Sequence, residues 1–266
     1  MHEASLSLIV CLSDEATLKA NLLASPCLGP GSPHEVIAVR NAPSAAAGLT
    51  LGWARARNDL IVCVHQDVVL PAGWDRLVVD QYQRAERRWG PIGVAGVYGV
   101  GEVVESPGQP PAARRIGRVV DRGRLLRDGP ELPAAAVTLD ELLLILRRDG
   151  PLRAEPALGF HLYGADLCLQ ARERGLAVVV LDALCHHNSR SLALPAAFSA
   201  SAEVFARKWA HRLPVATPCA VFDRDERVFV LGNAEPETSV AAAVGRPLLG
   251  RETELPMHAG GSCNHR

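Results

Sequence analysis

Three short runs near the N-terminus are apolar throughout instead of alternating with polar residues: LSLIVCL at Leu6–Leu12, EVIAV within HEVIAVRNAPS at 34–44, and LIVCV at Leu60–Val64. Strands of that composition are buried on both faces, as in parallel sheets covered by helices, whereas an antiparallel sheet with one wet face alternates. The intervening segments have helical character. Leu18, Leu22 and Leu23 recur at helical spacing after Ser13 and Asp14, and AAAGLTLGWARARND at 45–59 is rich in alanine. Strand, helix and strand in that order predict parallel β-α-β units and an α/β fold.

Further along, GWDRLVVDQYQRAERRWG places Trp74, Leu77, Val78, Tyr82, Ala85 and Trp89 on one helical face, and Gly90 with Pro91 stops the helix. IGVAGVYGVG at 92–101 predicts one glycine-loaded strand. Residues 105–133, rich in Gly, Pro and Arg, read as a long irregular excursion with Arg114, Arg115 and Arg118 on a solvated loop. LDELLLILRRD at 139–149 fits a strand or a short helix equally. Residues 165–174 predict a helix closed by Gly175, then a buried strand over 177–181, then the polar cluster His186, His187, Asn188, Ser189. A helix near 196–211 and a hairpin in AVFDRDERVFVLG complete one domain over 1–231, followed by a loosely ordered tail over 232–266.

Composition removes several classes of function. In a chain of 266 residues, 48% apolar content supports a sizeable core. A net charge of -1, from 28 basic and 29 acidic residues, gives no field suited to nucleic acid. Seven scattered cysteines without a CxxC pair read as reduced thiols of a cytoplasmic protein. No signal peptide and no transmembrane segment is expected, because no apolar run approaches the roughly 18 residues a span needs. Work at the inner face of a membrane stays compatible with that reading.

In open parallel sheets the ligand crevice lies at the carboxyl ends of the strands. Here those ends carry Ser13 and Asp14, Arg40 and Asn41, and, in IVCVHQDVVL, the group His65, Gln66, Asp67. A carboxylate there suits Mg2+ or Mn2+, and an imidazole from His186 or His187 would favour Mn2+; strand alternation would turn the other histidine away. So sparse a protein shell leaves coordination to water and substrate phosphates. It supports displacement at a phosphorylated carbon, with Asp166 as the candidate base. Plainer roles exist for each: Asp67 caps the turn before Pro71, Asp166 complements a helix dipole, and His65 with Gln66 forms pocket wall. Neither GxxxxGK[ST] nor GxGxxG before a helix occurs.

The opening strand with SD, then EVIAVRNAPS, then ARNDLIVCVHQDVVLPAGW, then FHLYGADLCLQARERGLAVVVLDALCHHNSRS, in that order over 6–191, resemble family 2 glycosyltransferases of GT-A fold. The likeness is strongest to a bacterial subgroup with HQD in place of Asp-x-Asp. It implies a GT-A-like, Rossmann-like mixed and mainly parallel sheet flanked by helices. It further implies a nucleotide-sugar donor, a hydroxyl acceptor, a divalent metal (Mn2+ or Mg2+) and inversion at the anomeric carbon. Carried over by position, Ser13, Arg40 and Asn41 line the nucleotide pocket with Asp14 and Gln66 beside them. Asp67 is the metal carboxylate, His186 or His187 the metal histidine, and Asp166 belongs to the acceptor-side acidic motif. Three positions depart from the family: Arg40 stands where an Asp is common, His65 replaces the first Asp of Asp-x-Asp, and Tyr163 with Gly164 replaces a Glu-Asp pair. The last departure makes Asp140 or Glu141 an alternative base. A nucleotide-sugar hydrolase and a catalytically weak sugar-nucleotide-binding protein are the rival readings.

Overall fold

The computed structural model describes residues 5–189, 195–225, 227–231 and 246–247. In chain order the elements are β1 (Leu6–Leu12), α1 (Glu15–Ala20), β2 (Glu35–Arg40), α2 (Ala45–Arg55), β3 (Leu60–Val64), β4 (Val68–Val69) and α3 (Trp74–Trp89). There follow β5 (Ile92–Gly96), β6 (Tyr98–Val104), β7 (Ala112–Asp121), β8 (Arg124–Asp128), β9 (Ala134–Ala135), β10 (Thr138–Leu139) and β11 (Leu143–Arg147). Then come α4 (Tyr163–Glu173), β12 (Ala177–Val180), β13 (His186–His187), α5 (Ala197–Lys208), β14 (Val215–Ala216), β15 (Ala220–Phe222), β16 (Arg227–Val230) and β17 (Arg246–Pro247).

The central sheet has the order β2-β1-β3-β11-β5-β12-β9. β1 runs parallel to β2 and β3, and β12 parallel to β5, while β11 runs antiparallel to β3 and β5 and β9 antiparallel to β12. The sheet is therefore mixed and mainly parallel, as expected. The continuous apolar runs have a direct cause. Leu8, Val10, Val62 and Val64 join one core layer with Trp74, Val78 and Tyr82 of α3, while Ile9, Ile61 and Cys63 join another with Leu49 of α2 and Leu167, Cys168 and Ala171 of α4. Consecutive residues point to opposite faces, and both faces are covered. Each such side chain contributes roughly 1.5–3 kcal/mol through burial, so a charge at Val62 would break the sheet at its centre.

Two expectations change. The glycine-loaded run is two strands, because the chain leaves the central sheet after β5 and enters a second sheet, ordered β10-β6-β7-β13-β4, as β6. The presumed excursion over 105–133 contains the antiparallel hairpin of β7 and β8. Its tight turn is Arg122-Gly123, with φ of 48° and 78°, the left-handed pair that matches hairpin twist. β7 buries Ile116, Gly117 and Val119 and leaves Arg114 exposed and Arg118 half-buried against Asp182, so its arginines mask a strand that lacks a clean two-residue period. The segment at 139–149 resolves as strand β11, buried from Leu143 to Leu146. β15 and β16 form the expected hairpin, in a third sheet with β14 and β17. Apart from 246–247, the expected tail at 232–266 lies outside the described residues.

Candidate active site

The end of β3 is tied to the end of β1 by one side chain. Gln66 Oε1 accepts from the backbone N–H groups of Ser13 and Asp14, each at 3.0 Å, and its Nε2 donates to Ser13 Oγ at 2.9 Å. His65 is fixed from the other side, its backbone N–H donating to the Leu142 carbonyl at 2.9 Å. Asp67 is held through its own carbonyl, which accepts from Asn188 N–H at 2.9 Å. That bond brings β13 alongside: His187 pairs with Val68 of β4 and with Asp121 of β7.

His65, Asp67 and His187 consequently converge, each offering a ligand atom within 4.8 Å of the others. His187 Nε2 lies 3.5 Å from Asp67 Oδ1, and its Nδ1 lies 3.1 Å from Asp121 Oδ1. Asp67 Oδ1 is buried and accepts no hydrogen bond. A buried carboxylate oxygen without a donor is costly unless a cation or water meets it. Two imidazoles and one such oxygen could hold a divalent metal ion. Burial and the neighbouring His187 push the His65 imidazole below its ordinary value, although Asp67 and Asp140 oppose this. Burial also works against a charged His187, but Asp67, Asp140 and Asp121 outweigh it and raise its pKa. Burial would raise the Asp67 carboxyl; the two imidazoles more than offset it and hold it below the carboxylate range.

Two cavities meet at this cluster. One, of about 590 Å3, runs over the ends of β1, β2 and β3 and is lined by Ile9, Val39, Asn41, Leu49, Ser13 and Gln66. Its size and apolar floor with a few polar groups suit a small-molecule ligand. The other, of about 340 Å3, is lined by Asp140, Glu141, His161 and His187. His65, Asp67 and Phe160 border both.

Glu141 sits against the start of α4. Its Oε1 accepts from Gly164 N–H at 2.8 Å, and a Cβ on Gly164 would stand 2.8 Å from Glu141 Cγ. Burial pushes the Glu141 carboxyl up to about 8; Asp140 adds to the rise, and the N–H groups of Gly164 and Tyr163 oppose it. Asp140 Oδ1 accepts from Leu142 N–H at 2.9 Å.

The structure rearranges several sequence assignments. Asp166 is 0% exposed and lines neither cavity. Its Oδ1 accepts from Trp209 Nε1 at 2.8 Å and pairs with Lys208 Nζ at 2.8 Å, and its Oδ2 accepts from Gln170 at 2.7 Å. Ala165 faces the second cavity, and one residue further turns about 100° around the helix, so Asp166 is an interior anchor for α5 and not an acid facing an acceptor. His186 is exposed, turned out by strand alternation, which leaves His187 as the histidine of the cluster. Asp14 is spent as the cap of α1, accepting from Ala16 N–H at 3.0 Å and Thr17 Oγ1 at 2.6 Å. Arg40 is exposed and paired with Glu15 at 2.6 Å, outside the first cavity, while Ser13, Asn41, Gln66 and Asp67 line it. His65, read from the sequence as wall, is a donor of the cluster; its place beside Asp67 at a buried strand end was the usable signal. Asp121 had none, because it lay in the segment taken for loop.

A profile described as a glycosyltransferase-like family matches residues 7–209. The chain belongs to this family. This glycosyltransferase-like chain is 34% identical over 149 residues to a Fuscovulum blasticum protein called "ATP synthase subunits region ORF 6", covering 52% of the chain and 55% of that protein. It therefore spans about half the length of this curated relative. Among solved structures it is similar to GalNAc-T7 crystallised with UDP, GalNAc and Mn2+, with a TM-score of 0.50, 9% identity, and coverage of 79% of this chain and 49% of that one. It is also similar to glucosyl-3-phosphoglycerate synthase from Mycobacterium tuberculosis with Mg2+ and uridine diphosphate, with a TM-score of 0.47, 14% identity and coverage of 82% of each chain. The likeness to GalNAc-T7 establishes a shared GT-A fold.

Proposed function

We propose that this chain transfers a sugar from a nucleotide-diphosphate donor to a hydroxyl acceptor by direct displacement with inversion. The observation that carries the reading is the meeting of two cavities at His65 and Asp67. The larger suits the nucleotide, with apolar Ile9, Val39 and Leu49 under a base and Asn41 at the rim. The smaller admits the acceptor. Phe160, 47% exposed and bordering both, offers a ring of the kind that covers the apolar face of a sugar. His65, Asp67 and His187 would hold a divalent ion, which supplies charge neutralisation for a departing diphosphate.

The remaining work falls to protein groups. Ser13, held by Gln66, and Asn41 orient the donor so that its sugar carbon faces the second cavity. Glu141 takes the proton of the incoming hydroxyl. Its carboxyl, raised to about 8, is a stronger base than an ordinary carboxylate and is still partly ionised near neutral pH. Asp140 lines the same cavity beside it. A cytoplasmic setting accords with the free thiols of Cys11, Cys27, Cys63, Cys168, Cys185 and Cys219. Among the described residues no helix is long and apolar enough to cross a membrane.

The test is a panel of nucleotide sugars, uridine diphosphate donors first, with Mn2+. A true donor at about 100 times its Kd stabilises the fold by roughly 2.7 kcal/mol and raises Tm measurably. Product analysis with and without simple glycosides then separates transfer from hydrolysis. A panel in which no donor raises Tm would overturn the proposal.

A further inference from the structure

We infer that Asp121 is a positioning residue for the cluster: its carboxylate fixes the His187 tautomer that turns the Nε2 lone pair toward Asp67. This rests on the metal-assisted reading above. A carboxylate only accepts hydrogen bonds, so an Asp121 Oδ1 placed 3.1 Å from the Nδ1 of His187 favours the ring form with the hydrogen on Nδ1. Nε2 of the neutral ring is then unprotonated, and it lies 3.5 Å from an Asp67 Oδ1 that receives no hydrogen bond. Two bare lone pairs facing each other at that distance would repel; a proton on Nε2, which the surrounding carboxylates favour, relieves the contact in the empty site, and a bound divalent ion would take the proton's place. His65 adds a third ligand atom within 4.8 Å of these two atoms, the arrangement a divalent metal ion would use. A carboxylate behind a metal-binding histidine commonly fixes ring orientation and strengthens the donor.

Asp121 is itself held for this task. Ser189 Oγ donates to its Oδ1 at 3.0 Å, and its side chain is 15% exposed. It stands opposite His187 in a parallel pair, locked on both sides by Val120 N–H to the Cys185 carbonyl at 3.0 Å and Arg122 N–H to the His187 carbonyl at 2.9 Å. The hairpin of β7 and β8 therefore builds part of the site.

The experiment titrates full-length protein with Mn2+ alone, by calorimetry and by the electron paramagnetic resonance of free ion, so no substrate is needed. Wild type binds; Asp121→Asn, whose amide can donate to Nδ1 and reverse the tautomer, binds about 10- to 100-fold more weakly. Asp121→Glu recovers part of the loss, and Ser189→Ala shows a smaller one. In Zn2+-loaded protein, 15N spectra show His187 protonated at Nδ1 in wild type and at mixed positions in Asp121→Asn. Wild type that binds no Mn2+ would sink both the metal-assisted reading and this inference. Wild type that binds while Asp121→Asn binds equally well, with an unchanged His187 spectrum, sinks the inference alone. If Asp121→Asn does not fold, equal Mn2+ affinity in Asp121→Glu, Ser189→Ala and wild type overturns it.

Discussion

Replacing Glu141 by Gln separates the electrostatic price of this acid from its packing. The amide keeps an oxygen for Gly164 N–H and nearly the same volume, but never ionises. In the folded protein burial lifts the carboxyl from 4.5 to about 8. Between those values the folded state retains a proton that the unfolded chain has released. The stabilisation is therefore complete below about pH 4.5 and is lost as pH rises through about 8. At about 1.36 kcal/mol per pH unit, a 3.5-unit interval sets a ceiling of about 5 kcal/mol; local relaxation and water entry reduce it, and about 2 kcal/mol is the expected change. Urea unfolding followed by tryptophan fluorescence, at steps from pH 5 to 9 in chelator, gives the stability of both proteins. Glu141→Gln should gain on wild type steadily toward alkaline pH. Parallel curves across that range would refute the burial argument. Under turnover conditions the same variant should lose roughly 10²- to 10⁴-fold in kcat with little change in donor affinity, and undiminished kcat would remove Glu141 as the base.

Asp166→Ala strands the buried Trp209 Nε1 and leaves Lys208 to Glu155 alone, so chemical denaturation should show a loss of about 1–3 kcal/mol, while donor-induced stabilisation persists in the folded fraction. A stable Asp166→Ala protein that fails in turnover would restore Asp166 to the chemistry. Mn2+ calorimetry on single alanine variants should find affinity reduced at least tenfold for His65 and His187 and unchanged for exposed His186. Equal losses at 186 and 187 would contradict the strand geometry.

What was legible in the sequence is what depends on neighbours in the chain. Consecutive apolar residues in β1 and β3 announce burial on both faces, and the polar groups at their ends announce a crevice, so the fold, Ser13, Asn41, Gln66 and Asp67 follow. What depends on pairing between distant strands was hidden. The meeting of Asp121 with His187 requires the parallel register of β7 and β13, and the arginines that solvate β7 conceal that it is a strand at all. The acids illustrate the same limit. Sequence alone records that Tyr163 and Gly164 stand where an acidic pair is usual, which reads as erosion of the motif. In space the missing Cβ at 164 is the condition for Glu141, because the two would lie 2.8 Å apart. Any side chain at 164 would require Glu141 to shift. Glu141, in the loop before β11, lines the second cavity. Erosion predicts a neutral cavity wall; the wall instead carries Asp140 and Glu141 beside Asp67.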